Sequence, residues 1–235
     1  MDAQTLRAKI DADDGLSGIA TQVDMDSLST SNDPAHGPPH LLRVALWTLR
    51  LGEGRIDSRE GIAAALLHDF INIPKDDPRR NQASALSAEA ARPLLAVGGF
   101  TPEAIDRIAA AIRDHSFSRG ATPKGPLGCA LQDADRLEAL GAIGLMRCVA
   151  TGQKMGSGFF HPDDPWAERR ELNDRAYSVD HLFTKLFSLS DTMCTEPGRR
   201  EAVRRTRFLH AFITSLGDEL GYPKPNQTKH STDVP

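Results

Sequence analysis

His68 and Asp69, adjacent near the end of the apolar stretch Ala63–Phe70, place an imidazole and a carboxylate where a helix should be buried. The pair alone would do no more than cap a helix end. His40 opens another helical pattern upstream, in His-Leu-Leu-Arg-Val, and Asp135 lies in a third, in Gln-Asp-Ala-Asp-Arg-Leu. An unpaired carboxylate is costly to bury, so several such groups on apolar helices imply a shared partner. Two neutral imidazoles and two carboxylates form a mixed nitrogen and oxygen set suited to a divalent transition metal or Mg²⁺. Asp133 and Asp135 point about 200° apart on a helix, so both cannot face one ion.

The elements that must carry these residues are all helical. From His40 the residues Leu42, Val44, Ala45, Leu46, Trp47 and Leu49 suit a buried helix that Gly52 and Gly54 terminate. Ser58 starts the next helix, which ends at the His68-Asp69 doublet. Pro74 and Pro78 mark a loop, and Ala83 to Val97 follow as a helix. Thr101-Pro102-Glu103 is a capping residue with Pro at the first helical position, for a helix ending near His115. One long helix is expected from Leu127 to about Val149, an irregular active-site loop or insertion over residues 152–165, and amphipathic helices over about 178–193 and 197–220. Residues 1–33 read as a short helix passing into a polar loop from Asp24, and residues 221–235 as a disordered tail. With no alternating strand pattern and no repeat, the class is all-α, with one helical domain over residues 34–220.

The order of a first His, a His-Asp doublet and a distant Asp resembles the signature of the HD superfamily of metal-dependent phosphohydrolases. The likeness extends to bacterial HD hydrolases of nucleotide-hydrolysing or unassigned type. It runs through Asn72-Ile-Pro-Lys75, Gln82-Ala-Ser84, Asp133-Ala-Asp135-Arg136-Leu137, Gly141-Ala-Ile-Gly144 and Asp180-His181-Leu-Phe-Thr-Lys185, covering roughly residues 33–220. The resemblance implies a helical bundle with a metal site between helices. It assigns the ligands as His40, His68, Asp69 and Asp135, and leaves Asp133 as a surface or outer carboxylate. The implied ion is Mn²⁺, Mg²⁺, Co²⁺, Fe²⁺ or Ni²⁺, with Asp69 and His68 at the reacting centre. The implied substrate is a nucleotide or another small phosphorylated metabolite, with cleavage of a nucleoside triphosphate to monophosphate and pyrophosphate leading. Other members of the superfamily are di-iron oxygenases, and a metal-binding sensor without catalysis is a third class.

Lys75 and Arg80 follow the doublet and could hold phosphate, Lys75 as a point charge and Arg80 through a bidentate contact. His181 and Lys185, four apart, share a helix face and could also reach substrate. His36 and His115 are candidates at the mouth of the site, where related hydrolases contact phosphate or a second metal. Relatives usually follow the first of these with Asp, and Gly37 stands there instead. Arg43 and Arg136 read as structural ion-pair partners.

A formal charge of −4 gives no electrostatic case for a nucleic-acid duplex as partner. Three widely spaced cysteines indicate neither a disulfide framework nor a structural zinc motif, which fits a reducing cytoplasm. No uncharged apolar run is long enough to span a bilayer, so neither secretion nor membrane insertion is expected.

Overall fold

A computed structural model describes residues 1–30, 37–73, 77–116 and 119–222. The expected roles of His36 and Lys75, and the expected tail beyond Tyr222, lie outside them. The described residues form an all-α bundle: α1 (Ala3–Asp11), α2 (Asp14–Thr30), α3 (Pro38–Gly52), α4 (Ser58–Leu67), α5 (Ala83–Val97), α6 (Pro102–Asp114), α7 (Gly125–Leu137), α8 (Gly141–Lys154), α9 (Ser178–Thr184) and α10 (Glu196–Leu220). Short 3₁₀ segments cover Arg80–Gln82 and Leu186–Thr192. Among the described residues no strand forms, only a single bridge between Gly158 and Tyr177.

α4 is the axis of the bundle. Every residue from Gly61 to Leu67 is buried, which is what a helix apolar on all sides requires. Its run of three alanines keeps the helix thin, and it packs on α2, α3, α5, α6 and α7. Asp57 caps its start by accepting from the backbone N–H of Arg59 and Glu60. α6 begins as expected, with Thr101 Oγ1 accepting from Ala104 N and Pro102 in the first turn. α3 packs against α4 and α7, and α6 against α4, α5 and α7, so these five helices share one core.

Three expectations need correction. The polar stretch from Asp24 is helical as far as Thr30, because α2 carries on past the apolar residues Leu16, Ile19 and Val23 that anchor it in the core. The single helix expected over 127–149 is two: the chain leaves the helix after Leu137, turns at Gly141 with φ 72°, and starts α8. Apolar residues continue across that turn, although Ile143 and Met146 of α8 are exposed, so only the glycine marked it. The helix expected over 178–193 is α9 followed by the 3₁₀ segment, with Lys185 at the break.

Candidate metal centre

Three helix ends converge on the last turn of α7, which carries Asp135. His40 lies in the first turn of α3, where Gly37 precedes Pro38 and Pro39; His68 ends α4; His115 ends α6. All three imidazoles are buried. The ring of His68 lies 5.3 Å from that of His40 and 4.9 Å from that of His115.

The last carbonyls of a helix lack intrahelical partners, and here they orient the histidines. His68 Nδ1 lies 2.7 Å from the Ala65 carbonyl and His115 Nδ1 lies 2.6 Å from that of Ile112. A carbonyl only accepts, so both rings carry hydrogen on Nδ1 and turn Nε2 inwards. His40 reaches the same state by a different route, with Nδ1 3.2 Å from Oε2 of the buried Glu138.

The inward nitrogens meet carboxylates at distances too long for hydrogen bonds and suited to an atom between them. His40 Nε2 and His68 Nε2 each lie 3.7 Å from Asp135 Oδ1. His68 Nε2 is 3.6 Å from Asp69 Oδ2, and His115 Nε2 is 3.7 Å from Asp69 Oδ1. His68 Nε2 is buried without a hydrogen bond, a costly condition that a cation would relieve. One donor atom from each of His40, His68 and Asp69 falls within 4.8 Å of the others. This donor set fits a divalent ion, and Asp135 adds a fourth oxygen beside it.

The electrostatics agree with a cation site. Burial opposes a charge on His68, yet the carboxylates of Asp69 and Asp135 raise its pKa to about 9. Burial also works against ionising Asp69, but His68 and His115 hold its carboxyl well below the usual range. Asp135 is lowered in the same way by His68. The field that favours a proton on His68 is the field that would favour a metal ion, and binding the ion displaces that proton.

Glu138 gave no signal of its own in the sequence analysis. It is buried, its Oε2 accepts from His40 and from Arg43 Nε at 2.8 Å, and it pairs with Arg43 Nη2 at 2.7 Å. Burial pushes its carboxyl up, but the bonds from His40 and Arg43 outweigh that and lower it. Its position three residues after Asp135 on one helical face was the available signal. Arg43 has the structural ion-pair role expected of it.

Asp133 is not on the surface. It is fully buried and accepts from Cys194 N, Thr195 N and Thr195 Oγ1 at 2.8, 2.7 and 2.6 Å, fixing the start of α10. Gly198 is required there, since a Cβ would come within 2.5 Å of Asp133 Oδ2.

A cavity of about 570 Å³ opens beside the cluster, and Asp69, His115 and Asp135 form part of its wall. Arg80, His181 and Lys185 line it too, so the structure brings these expected substrate residues together with the carboxylates. Arg80 is held by the Ile73 carbonyl at 2.6 Å and Asn72 Oδ1 at 3.2 Å. His181 Nδ1 lies 3.1 Å from Asp174 Oδ2. Burial lowers the pKa of Lys185, with Asp135 opposing the shift and Arg136 and Arg80 adding to it. Arg136 lines the cavity and donates to the Thr192 carbonyl at 2.5 Å. Arg147, Asp174 and Arg175 also line it and escaped the sequence reading. Of residues 152–165, the first three belong to α8 and Ser157 reaches the cavity. The chain beyond is tied down where the buried Asp180 takes a bidentate pair from Arg170 at 2.5 and 2.8 Å and accepts from Asn173 N.

The HD domain family matches residues 39–140, a span that contains His40, His68, Asp69 and Asp135. The YpgQ protein of Bacillus subtilis is 31% identical over 201 residues, which cover 83% of this chain and 90% of YpgQ. The crystal structure of Bacillus subtilis YpgQ in complex with ADP aligns with a TM-score of 0.66 at 28% identity, over 86% of this chain and 96% of that one. The crystal structure of an HD-superfamily hydrolase from Bacillus thuringiensis aligns with a TM-score of 0.66 at 26% identity, over 93% and 100% of the two chains. The chain belongs to the HD superfamily of metal-dependent phosphohydrolases.

Proposed function

We propose that the protein hydrolyses a nucleotide, and that a nucleoside triphosphate is cleaved to the monophosphate and pyrophosphate. The observation that carries this reading is the cavity. Arg80, Arg136, Arg147, Arg175 and Lys185 surround the same space that Asp69 and Asp135 enter. Such a ring of cations suits a polyanion, and the volume of about 570 Å³ suits a ligand of nucleotide size. The complex of Bacillus subtilis YpgQ with ADP supports a nucleotide as ligand.

In this reading His40, His68, Asp69 and Asp135 hold the ion. Bound there, a divalent ion supplies Lewis-acid polarisation of a phosphoryl oxygen and acidifies a water molecule. Asp69 turns one oxygen towards His68 and the other towards His115, which lets it orient the attacking water. His115 Nε2, with the ring's hydrogen committed to Ile112, is placed to take the proton from that water. The water oxygen bonds to the α-phosphorus as the bond to the bridging oxygen breaks, and pyrophosphate leaves with the electron pair. Arg80 and Lys185, with Lys75, neutralise the outgoing charge, and His181 lines the same cavity.

Incubation of the metal-loaded protein with nucleoside mono-, di- and triphosphates, with products separated by chromatography, tests the reading. The expected products from the triphosphate are monophosphate and pyrophosphate. Release of inorganic phosphate from the monophosphate alone replaces it with a monoesterase. Iron content with O₂ consumption and no hydrolysis replaces it with an oxygenase.

A further inference from the structure

Cys129, Gln132 and Asp133 lie three and four residues apart on α7 and so share one face of it. Cys194, just before the start of α10, is seated on that face. Its Sγ donates to Gln132 Oε1 at 3.4 Å and its backbone N–H to Asp133 Oδ1 at 2.8 Å. Cys129 is the thiol one turn back along the same face, and the two thiols interact directly as hydrogen-bond partners. The segment around Cys194 is fixed from several sides. The Thr192 carbonyl accepts from Arg136, that of Met193 accepts from Arg199 Nη2 at 3.2 Å, and the N–H and hydroxyl of Thr195 donate to Asp133. Gln132 is fixed in turn, because its Nε2 donates to the Asp114 carbonyl at 3.2 Å. Cys194 is exposed and Cys129 half-buried, so a small oxidant reaches the pair. Neither thiol lines the cavity beside the metal cluster.

We propose that Cys129 and Cys194 form a redox-modification site, which a peroxide closes to a disulfide and a thiol reductant reopens. Two thiols in mutual contact, on elements that other bonds already hold in register, need little backbone movement to join. Cys194 is the partner kept protonated: burial, then Cys129 and Asp133, push its thiol up to about 12. The first attack therefore falls to Cys129. Its thiolate sulfur bonds to one peroxide oxygen, the O–O bond breaks, and the departing hydroxide takes up the proton the thiol had released and leaves as water. The contribution of Cys129 to the shift of Cys194 ends once Cys129 is the sulfenic acid. The Cys194 sulfur then attacks the Cys129 sulfur, the S–O bond breaks, and the hydroxyl leaves with the Cys194 proton as a second water. Two electrons pass from the thiol pair to the peroxide. The new bond ties α7 to the start of α10, and it does not depend on which substrate the cavity takes.

The test treats the full chain with a small excess of H₂O₂, counts free thiols in the denatured protein before and after, and maps unreduced peptides by mass spectrometry. Two of the three thiols should disappear, the intact protein should lose two hydrogens, a peptide linking Cys129 to Cys194 should be found, and dithiothreitol should restore the starting state. Cys129→Ser and Cys194→Ser should each abolish the link, and Cys148→Ser should retain it. Because the link closes a long loop, the oxidised parent should melt about 5–15 °C above the reduced parent, a shift absent from Cys129→Ser. Three retained thiols, a link through Cys148 or between two chains, or oxidation of either cysteine to the sulfinic acid without a link overturns the proposal. An oxidised parent that melts no higher than the reduced one also overturns it, because the bond then forms only by distorting the native packing. The peptide map of the parent decides the matter even where a variant fails to fold.

Discussion

Replacing Glu138 with Ala should weaken metal binding without touching any proposed ligand. In the folded protein Oε2 of this buried carboxylate accepts from His40 Nδ1 at 3.2 Å, which keeps Nε2 of the ring as a lone pair facing Asp135. Without Glu138 the ring has two options. It leaves Nδ1–H buried and unsatisfied, at a cost of about 1–3 kcal/mol, or it moves its hydrogen to Nε2 and ceases to be a ligand. Either route lowers metal affinity, and 1–3 kcal/mol corresponds to about 5- to 150-fold, a range that spans the loss seen when outer partners of metal-bound histidines are removed. Stability should fall less than for a fully buried ion pair, because a third of the Arg43 side chain is exposed and can turn to water; about 1–3 kcal/mol is expected rather than 3–5. Glu138→Gln retains an oxygen that can accept from Nδ1 and should lose less affinity than Glu138→Ala. Competition between the protein and a chromophoric chelator for Mn²⁺ or Co²⁺ measures the first effect, and urea denaturation of the metal-free forms measures the second. A folded Glu138→Ala protein with the parent's metal affinity would refute the argument that this carboxylate sets the tautomer.

Asp69→Ala should remain folded and lose the ion, since Asp69 offers an oxygen to both His68 and His115 at the centre of the cluster; unchanged stoichiometry by elemental analysis would sink the proposed ligand set. Asp133→Ala should do the opposite. It removes three hydrogen bonds from the start of α10 and should cost about 3 kcal/mol in urea denaturation while metal content is unchanged, and an unaltered midpoint would show that α10 is positioned by other contacts.

The sequence by itself determined the helical class, most element positions and the residue types of the cluster, because those depend on local information. Period 3.6 in apolar residues marked α3 to α7, and Thr101-Pro102 marked the start of α6. The ligand types were legible because imidazoles and carboxylates on apolar helices stand out against their surroundings. Tertiary structure decided everything that depends on which helices meet. Asp133 and Asp135 are two residues apart, and only packing shows that one is buried against the start of α10 while the other faces His40 and His68. Glu138 gave no sign of a role until α3 brought His40 and Arg43 to it. The break at Gly141 was hidden because apolar residues continue on both sides of it, although Ile143 and Met146 beyond it are exposed, and from it α8 gains the direction that sets Arg147 in the cavity wall. A histidine's chemistry is written in its side chain, but its tautomer and the direction of its free nitrogen are set by whichever acceptor the fold places beside it.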